Sequence, residues 1–244
     1  MQHRLGGFMR PDVIIFDLYS TLVDGFSFSA HERALVAMAE ALQAPDPAVF
    51  AHRFTHESWI ARGTGQFATI EENIAWLYER QGWPLAPERL AEAVRIRMEF
   101  SRVGLVALPG ALEALTTLRR RGYRLGLISD CSAETPQLWE TLPFAPLIEA
   151  PVFSCAVGYL KPDPRIYQIA CERLGVAPDD CLYIGDRPEE VIGARAVGMR
   201  AIRVRPPHDD TYEARETGRP TWDGPELDAV AQLPALLATD NVGG

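Results

Sequence analysis

Asp17 follows at once on the apolar run 13–16, and Tyr19 and Thr21 come within the next four residues. Three more short groups of the same character lie far along the chain: Ser129-Asp130, Lys161-Pro162-Asp163 and Gly185-Asp186. A carboxylate at the end of a strand is a candidate nucleophile, hydroxyl and ammonium groups can hold an oxyanion, and further carboxylates suit a hard cation. The set fits an anionic group held together with a divalent ion. Lys161 stands out, because the chain has 24 basic residues and every other one is arginine. An ammonium is a compact point charge that can touch an attacking carboxylate and a transferring oxyanion together, whereas a planar guanidinium takes more room.

The elements that must position these groups can be read from period. Apolar, β-branched runs predict strands at 13–16, 124–128, 152–156, 181–184 and 201–204, and stretches such as 111–121 and 164–174 carry apolar residues at spacings of three and four. Alternation of strand and helix implies an α/β fold with a parallel sheet covered on both faces. Gly122, Gly175 and Gly198 each follow a helical run, where a left-handed cap suits glycine. In an open sheet of this kind ligands collect beyond the carboxyl ends of the strands, and three of the four groups close a predicted strand while the Lys161 group opens a helix.

One interval breaks the alternation. Between Asp24 and about Leu105 only helices are predicted, near 30–42, 48–62, 70–81 and 87–102. About 80 residues are too many for a crossover, so 25–104 should form a helical cap over a core made of 1–24 and 105–244. Pro109-Gly110 marks the return to the core, and 206–224 reads as a surface loop before a last helix. In the cap, Trp59, Arg62 and Phe67 surround the turn Gly63-Thr64-Gly65, which could hang over the site. Arg62 is either a holder of a substrate carboxylate or second phosphate, or a solvated arginine beside core aromatics. His31, His52 and His56 sit in cap helices without a partner acid motif and are expected on a surface face.

Composition removes other classes. An apolar fraction of 47% fills a real core, while a net charge of −9 without a basic cluster argues against nucleic acid. No window approaches 18 apolar residues, and MQHRLGGFMRPD lacks the apolar segment of a signal peptide, so neither membrane insertion nor export is expected and the location is read as cytoplasmic. Cys131, Cys155, Cys171 and Cys181 show no zinc spacing and are expected as packed thiols. The expected partner is a small anionic substrate, and the chain a monomer or homodimer.

In order and spacing the four groups resemble the motifs of the haloacid dehalogenase-like hydrolase superfamily. Asp17-Leu-Tyr19-Ser-Thr21 resembles its nucleophile motif, D-x-D-x-T in phosphatases; Ser129 is similar to the second motif; Lys161 in KPDPRIY to the third; and Gly185-Asp186 with Glu190 in GDRPEE to the fourth. The resemblance implies a Rossmann-like doubly wound sheet of strand order 5-4-1-2-3 with an inserted α-helical cap, an aspartyl intermediate on Asp17, and usually a bound Mg²⁺. Asp17, Asp186, the Tyr19 carbonyl and Glu190 would hold the ion, with Glu190 alternatively only complementing a helix dipole. Thr21 and Ser129 would donate to substrate oxygens. Asp130 is a candidate for the same region, and Asp163 either orients the lysine or caps a helix.

Tyr19 departs from the phosphatase pattern. Family phosphatases place there an aspartic acid that protonates the leaving alkoxide, and tyrosine, with an ordinary pKa near 10, is a poor substitute. A tyrosine is similar instead to the dehalogenase branch, where Asp attacks carbon and halide leaves without a proton. That branch needs no metal and typically shows Ser-Asn in its second motif and Ser-x-Asn in its fourth, whereas Ser129-Asp130 and Gly185-Asp186 stand here. The leading expectation is a Mg²⁺-dependent phosphatase of a small metabolite, with Tyr19 a weak acid or a wall. The alternatives are a 2-haloacid dehalogenase and a metabolite-binding protein that has lost turnover.

Overall fold

The computed structural model describes residues 11–24, 27–211 and 218–239. The N-terminal stretch before Pro11 and the middle of the 206–224 loop lie outside them. Six parallel strands form one sheet: β1 Val13–Phe16, β2 Arg124–Ser129, β3 Ala150–Phe153, β4 Cys181–Gly185, β5 Arg200–Val204 and β6 Glu226–Leu227. The order is β3-β2-β1-β4-β5-β6, which from the other edge is the expected 5-4-1-2-3 with a sixth strand added outside β5. β1 pairs with β2 on one side, Val13 opposite Arg124, and with β4 on the other, Val13 opposite Cys181.

A strand in that position is covered on both faces, which is why VIIF is an unbroken apolar run with every residue buried. Its side chains alternate between two cores. Ile14 and Phe16 join Leu115 and Leu118, while Val13 and Ile15 join Ile166, Tyr167, Val191 and Ala194.

Among the described residues, five α-helices lie between β1 and Leu105: α1 Phe28–Leu42, α2 Pro47–His52, α3 Trp59–Gly63, α4 Ile70–Gln81 and α5 Pro87–Gly104. They gather a separate core of Met38, Phe50, Phe54, Ile74, Leu77 and Tyr78. Local signals fix their ends, such as the Ser27 hydroxyl accepting from the Ala30 amide and Gly82 closing α4 at φ 63°. The rest of the chain adds α6 Ala111–Arg120, α7 Glu134–Leu138, α8 Ser154–Val157, α9 Pro164–Leu174, α10 Pro188–Ala196 and α11 Leu233–Thr239. No helix among the described residues is long and apolar enough to cross a membrane.

Two expectations need correction, and one strand was not expected. The helix predicted over 48–62 is divided by a π turn at Arg53–Glu57, where the Ser58 hydroxyl donates to the Phe54 carbonyl and so competes with the helical ladder. The strand predicted at 152–156 lies two residues earlier, because β3 is an edge strand that tolerates Pro151, and Ser154 already begins α8. The last strand, β6, is two residues long and carries no readable period.

Candidate active site

The strand order reverses between β1 and β4, and the chain ends of these two strands deliver Asp17 and Asp186 side by side. The Asp17 amide still belongs to the ladder, donating to the Ile184 carbonyl at 2.8 Å, so its carboxylate is held at the sheet edge. The chain then turns tightly. Leu22 and Val23 both donate to the Leu18 carbonyl, and Ser20 sits at φ 57°, a left-handed conformation uncommon outside glycine and costing of order 1 kcal/mol.

Beneath Asp17 lies Lys161, its side chain fully buried. The ammonium is ion-paired with Asp17 Oδ1 and with Glu190 Oε2 at 2.9 Å, and it also reaches the Tyr183 hydroxyl at 3.2 Å and the Ile128 carbonyl at 3.3 Å. Burial opposes the charge, yet Asp17, Glu190 and Asp130 outweigh it and hold the lysine well above its ordinary pKa. Asp17 is pushed up to about 6, chiefly by burial and further by Glu190, against the pull of Lys161. Glu190 is not a solvated dipole partner: it is 2% exposed, bonds the Tyr183 hydroxyl, and its main-chain carbonyl accepts from Tyr167. Asp17, Asp186 and Glu190 each present an oxygen within 4.8 Å of the others, a set of hard donors suited to Mg²⁺ or a similar ion.

The remaining predicted residues separate. Thr21 donates to Asp17 Oδ2 at 3.4 Å. Ser129 is buried, and its hydroxyl has no hydrogen-bond partner among the described residues, as an oxyanion donor would have before its ligand arrives. Asp130 lines the cavity, but its Oδ1 accepts from the Lys161 amide at 3.0 Å and so steadies the lysine loop. Burial pushes its carboxyl up to about 7. Asp163 caps α9 and pairs with Arg165 outside the cavity lining, so of its two readings the cap is the one seen. The Tyr19 hydroxyl shares a 2.7 Å hydrogen bond with Thr135, and burial pushes it well above the usual tyrosine value.

Over these groups lies a cavity of about 300 Å³, closed on the far side by Thr55, Trp59, Arg62, Arg97 and Ser101 from the helical insertion. Arg62 is not solvated. It is 5% exposed and lies over the Phe54 ring at 4.1 Å. The Gly63–Gly65 turn does not hang over the site: Gly65, at φ 79°, packs so close to the Cys155 carbonyl that no Cβ would fit, and Phe67 turns away onto Trp76. His31 is not on the surface either, but buried against Phe100 and facing the cavity. His52 and His56 are exposed, their rings 4.9 Å apart and tilted to one another, and His56 also lines the cavity.

Sequence reasoning missed the partners on α5 and α7. Arg97 donates to Glu134 at 2.7 Å in an ion pair buried between the helical insertion and the sheet domain, and Thr135 holds Tyr19. The signal for Arg97 was its place in the buried stripe Ala93, Arg97, Ser101 at intervals of four. The two small neighbours made the stripe weak, and Arg95 and Arg102 nearby masked it.

Residues 11–198 match the model of the haloacid dehalogenase-like hydrolases. Among curated relatives, phosphatase MT3486 of Mycobacterium tuberculosis is 38% identical over 116 residues, spanning 45% of this chain and only 54% of that protein. (S)-2-haloacid dehalogenase 4A of Burkholderia cepacia is 29% identical across 78% of this chain and 81% of its own. The solved L-2-haloacid dehalogenase from Xanthobacter autotrophicus with chloropropionic acid covalently bound superimposes with a TM-score of 0.61 over 93% of this chain and 98% of that one; at 20% identity this likeness speaks to fold alone. With four motifs in order, the matching sheet and the family model covering most of its length, the chain belongs to the haloacid dehalogenase-like hydrolase family and is a hydrolase.

Proposed function

We propose that this hydrolase is a Mg²⁺-dependent phosphatase acting on a small phosphomonoester, with Asp17 as nucleophile and 25–104 as the cap that closes over the core. One observation carries the reading. Three buried carboxylates, Asp17, Asp186 and Glu190, converge on one centre, with Lys161 bonded to Asp17 and Glu190 and Arg187 3.8 Å from the other Glu190 oxygen. Such an excess of negative charge is costly in a dry site, and Asp17 accordingly drifts upward to about 6. A divalent ion held there would favour the carboxylate form of Asp17 that attack requires. Asp17, Asp186 and Glu190 would hold the ion, with the Tyr19 carbonyl as a further ligand, and its chemistry there would be to neutralise charge on the phosphoryl oxygens.

The chain's own groups do the rest. An Asp17 oxygen attacks phosphorus, the bond to the leaving oxygen breaks, and water later cleaves the resulting aspartyl phosphate. Lys161 holds the Asp17 carboxylate in line, while Ser129 and Thr21 donate to the transferring oxygens. The Asp130 bond to the Lys161 amide fixes the loop from which the ammonium projects.

Tyr19 favours a second reading. A hydroxyl bonded to Thr135 and held above its ordinary pKa is a poor proton source, and halide departs from carbon without one, so a 2-haloacid dehalogenase is the alternative. Purified protein is assayed for phosphate release from a panel of phosphomonoesters and for halide release from 2-chloropropionate, with Mg²⁺ and with chelator. Phosphate release that chelator abolishes supports the phosphatase. Halide release indifferent to chelator rejects it for the dehalogenase.

A further inference from the structure

The four cysteines are free thiols, and they lie in two pairs, Cys131 with Cys155 and Cys171 with Cys181, the sulfurs 3.9 Å apart in each. The pairs differ in their surroundings. Cys171 and Cys181 are buried in the core between α9 and β4, away from the cavity lining. Cys131 lines the cavity directly after Asp130, and Cys155 is half-buried in α8. The two segments are already tied together, because the Ser154 hydroxyl accepts from the Cys131 amide at 2.9 Å and donates to the Cys131 carbonyl at 3.2 Å. With the main chains pinned in this way, the sulfurs have about 2 Å to close before they reach disulfide length, a gap that side-chain rotation can supply. Contact with Cys131 also lowers the Cys155 pKa and so raises its share of reactive thiolate.

We propose that Cys131 and Cys155 form a site of oxidative modification, at which hydrogen peroxide closes a disulfide and thereby slows turnover. The Cys155 sulfur attacks one peroxide oxygen, the O–O bond breaks, and the departing oxygen leaves as water, giving a sulfenic acid on Cys155. The Cys131 sulfur then attacks that sulfur, the S–O bond breaks, and the hydroxyl leaves as a second water with the Cys131 proton. Two thiols and one hydrogen peroxide thus become one disulfide and two waters, and a dithiol reductant reverses the change. The link reaches the chemistry through its neighbours. Asp130, whose carboxylate accepts from the Lys161 amide, and Ser129 directly precede Cys131, so drawing Cys131 toward α8 displaces the support of the lysine. On the other side the Cys155 carbonyl packs against Gly65 of the helical insertion, so the link bears on that element as well. The effect on turnover rests on the phosphatase reading, whereas the disulfide itself does not.

The test exposes the reduced protein to hydrogen peroxide, blocks the remaining thiols under denaturing conditions and maps the linkage by mass spectrometry, while phosphate release from a phosphomonoester is followed in parallel. A peptide pair joining Cys131 to Cys155 within one chain should appear, and Cys171 and Cys181 should be recovered as blocked thiols. Over the same course kcat should fall by about ten- to a hundredfold, the cost of a small misplacement of reacting groups, and return with dithiothreitol. Cys155→Ser should keep the untreated kcat within about twofold and lose the reversible fall; Cys155→Ala should behave alike should the serine variant fail to fold. Absence of the link, a link between chains, a link at Cys171 and Cys181 in its place, sulfinic acid on Cys155 without a link, an unchanged response in the Cys155 variants, or a link that leaves phosphate release untouched each overturns the proposal. A reversible link in a protein that releases no phosphate from any ester before treatment would leave the modification site standing and reject the phosphatase reading.

Discussion

On the proposed phosphatase reading, replacing Tyr19 with aspartate should raise turnover of phosphomonoesters. The Tyr19 hydroxyl is bonded to Thr135 at 2.7 Å and its acidity is suppressed by burial, so at neutral pH it gives little help to a departing alkoxide. A carboxylic acid in the same loop is stronger by about six pKa units or more. A well-placed general acid accelerates such a step by roughly 10²–10⁴-fold, equivalent to about 3–5 kcal/mol of barrier. The substitution also has a structural cost, since the Tyr19 ring packs on the core that holds Phe16 and Leu18. Loss of that ring should cost about 2–4 kcal/mol and lower Tm by roughly 5–15 °C. Catalytic gain and structural loss therefore separate when turnover is measured well below the melting transition.

The decisive comparison is between leaving groups. With an alkyl phosphate, kcat for Tyr19→Asp should rise by two or more orders of magnitude, about the range for a general acid. With p-nitrophenyl phosphate, whose aryl oxide leaves without protonation, the change should stay within about threefold. A folded variant with no gain on alkyl esters, or with equal gains on both, would refute the idea that Tyr19 limits proton delivery.

Lys161→Met should lower kcat by about 10²-fold or more and destabilise the metal-free protein by roughly 3–5 kcal/mol in urea unfolding, since Asp17 and Glu190 would then share a buried site without their cation. Asp186→Asn should weaken Mg²⁺ binding by about tenfold or more in calorimetry, and Mg²⁺ should raise its Tm less than that of the parent. His31 is neutral in the folded state to about pH 2 but takes a proton near 6.5 when unfolded. Its contribution is therefore complete above pH 6.5 and declines as pH falls below it, by about 3 kcal/mol at pH 4.5. His31→Phe should remove that slope, read in chelator as the difference between the two unfolding curves, so that the opposite contributions of the raised Asp17 and Asp130 cancel; parallel curves would contradict it.

The sheet and its charged edge were legible because each depends on short-range pattern. β1 and β4 are buried on both faces and so read as apolar runs, and Asp17 and Asp186 follow them where the chain leaves the sheet. The sole lysine was conspicuous against a background of arginine. The far wall was obscure for the converse reason. Arg62, Arg97 and Glu134 come from three helices, and what distinguishes them from most other arginines and glutamates is burial, which depends on how the helices of the insertion pack against the sheet domain rather than on any local spacing. His31 misled in the same way, since a histidine on an amphipathic helix gives no sign of which neighbour will cover it. The π turn at Arg53–Glu57 also contains Phe54, the ring that lies under both arginines. The candidate chemistry thus lies at the edge of a sheet that sequence discloses, while the wall facing it is assembled from separate helices whose side chains meet only in space.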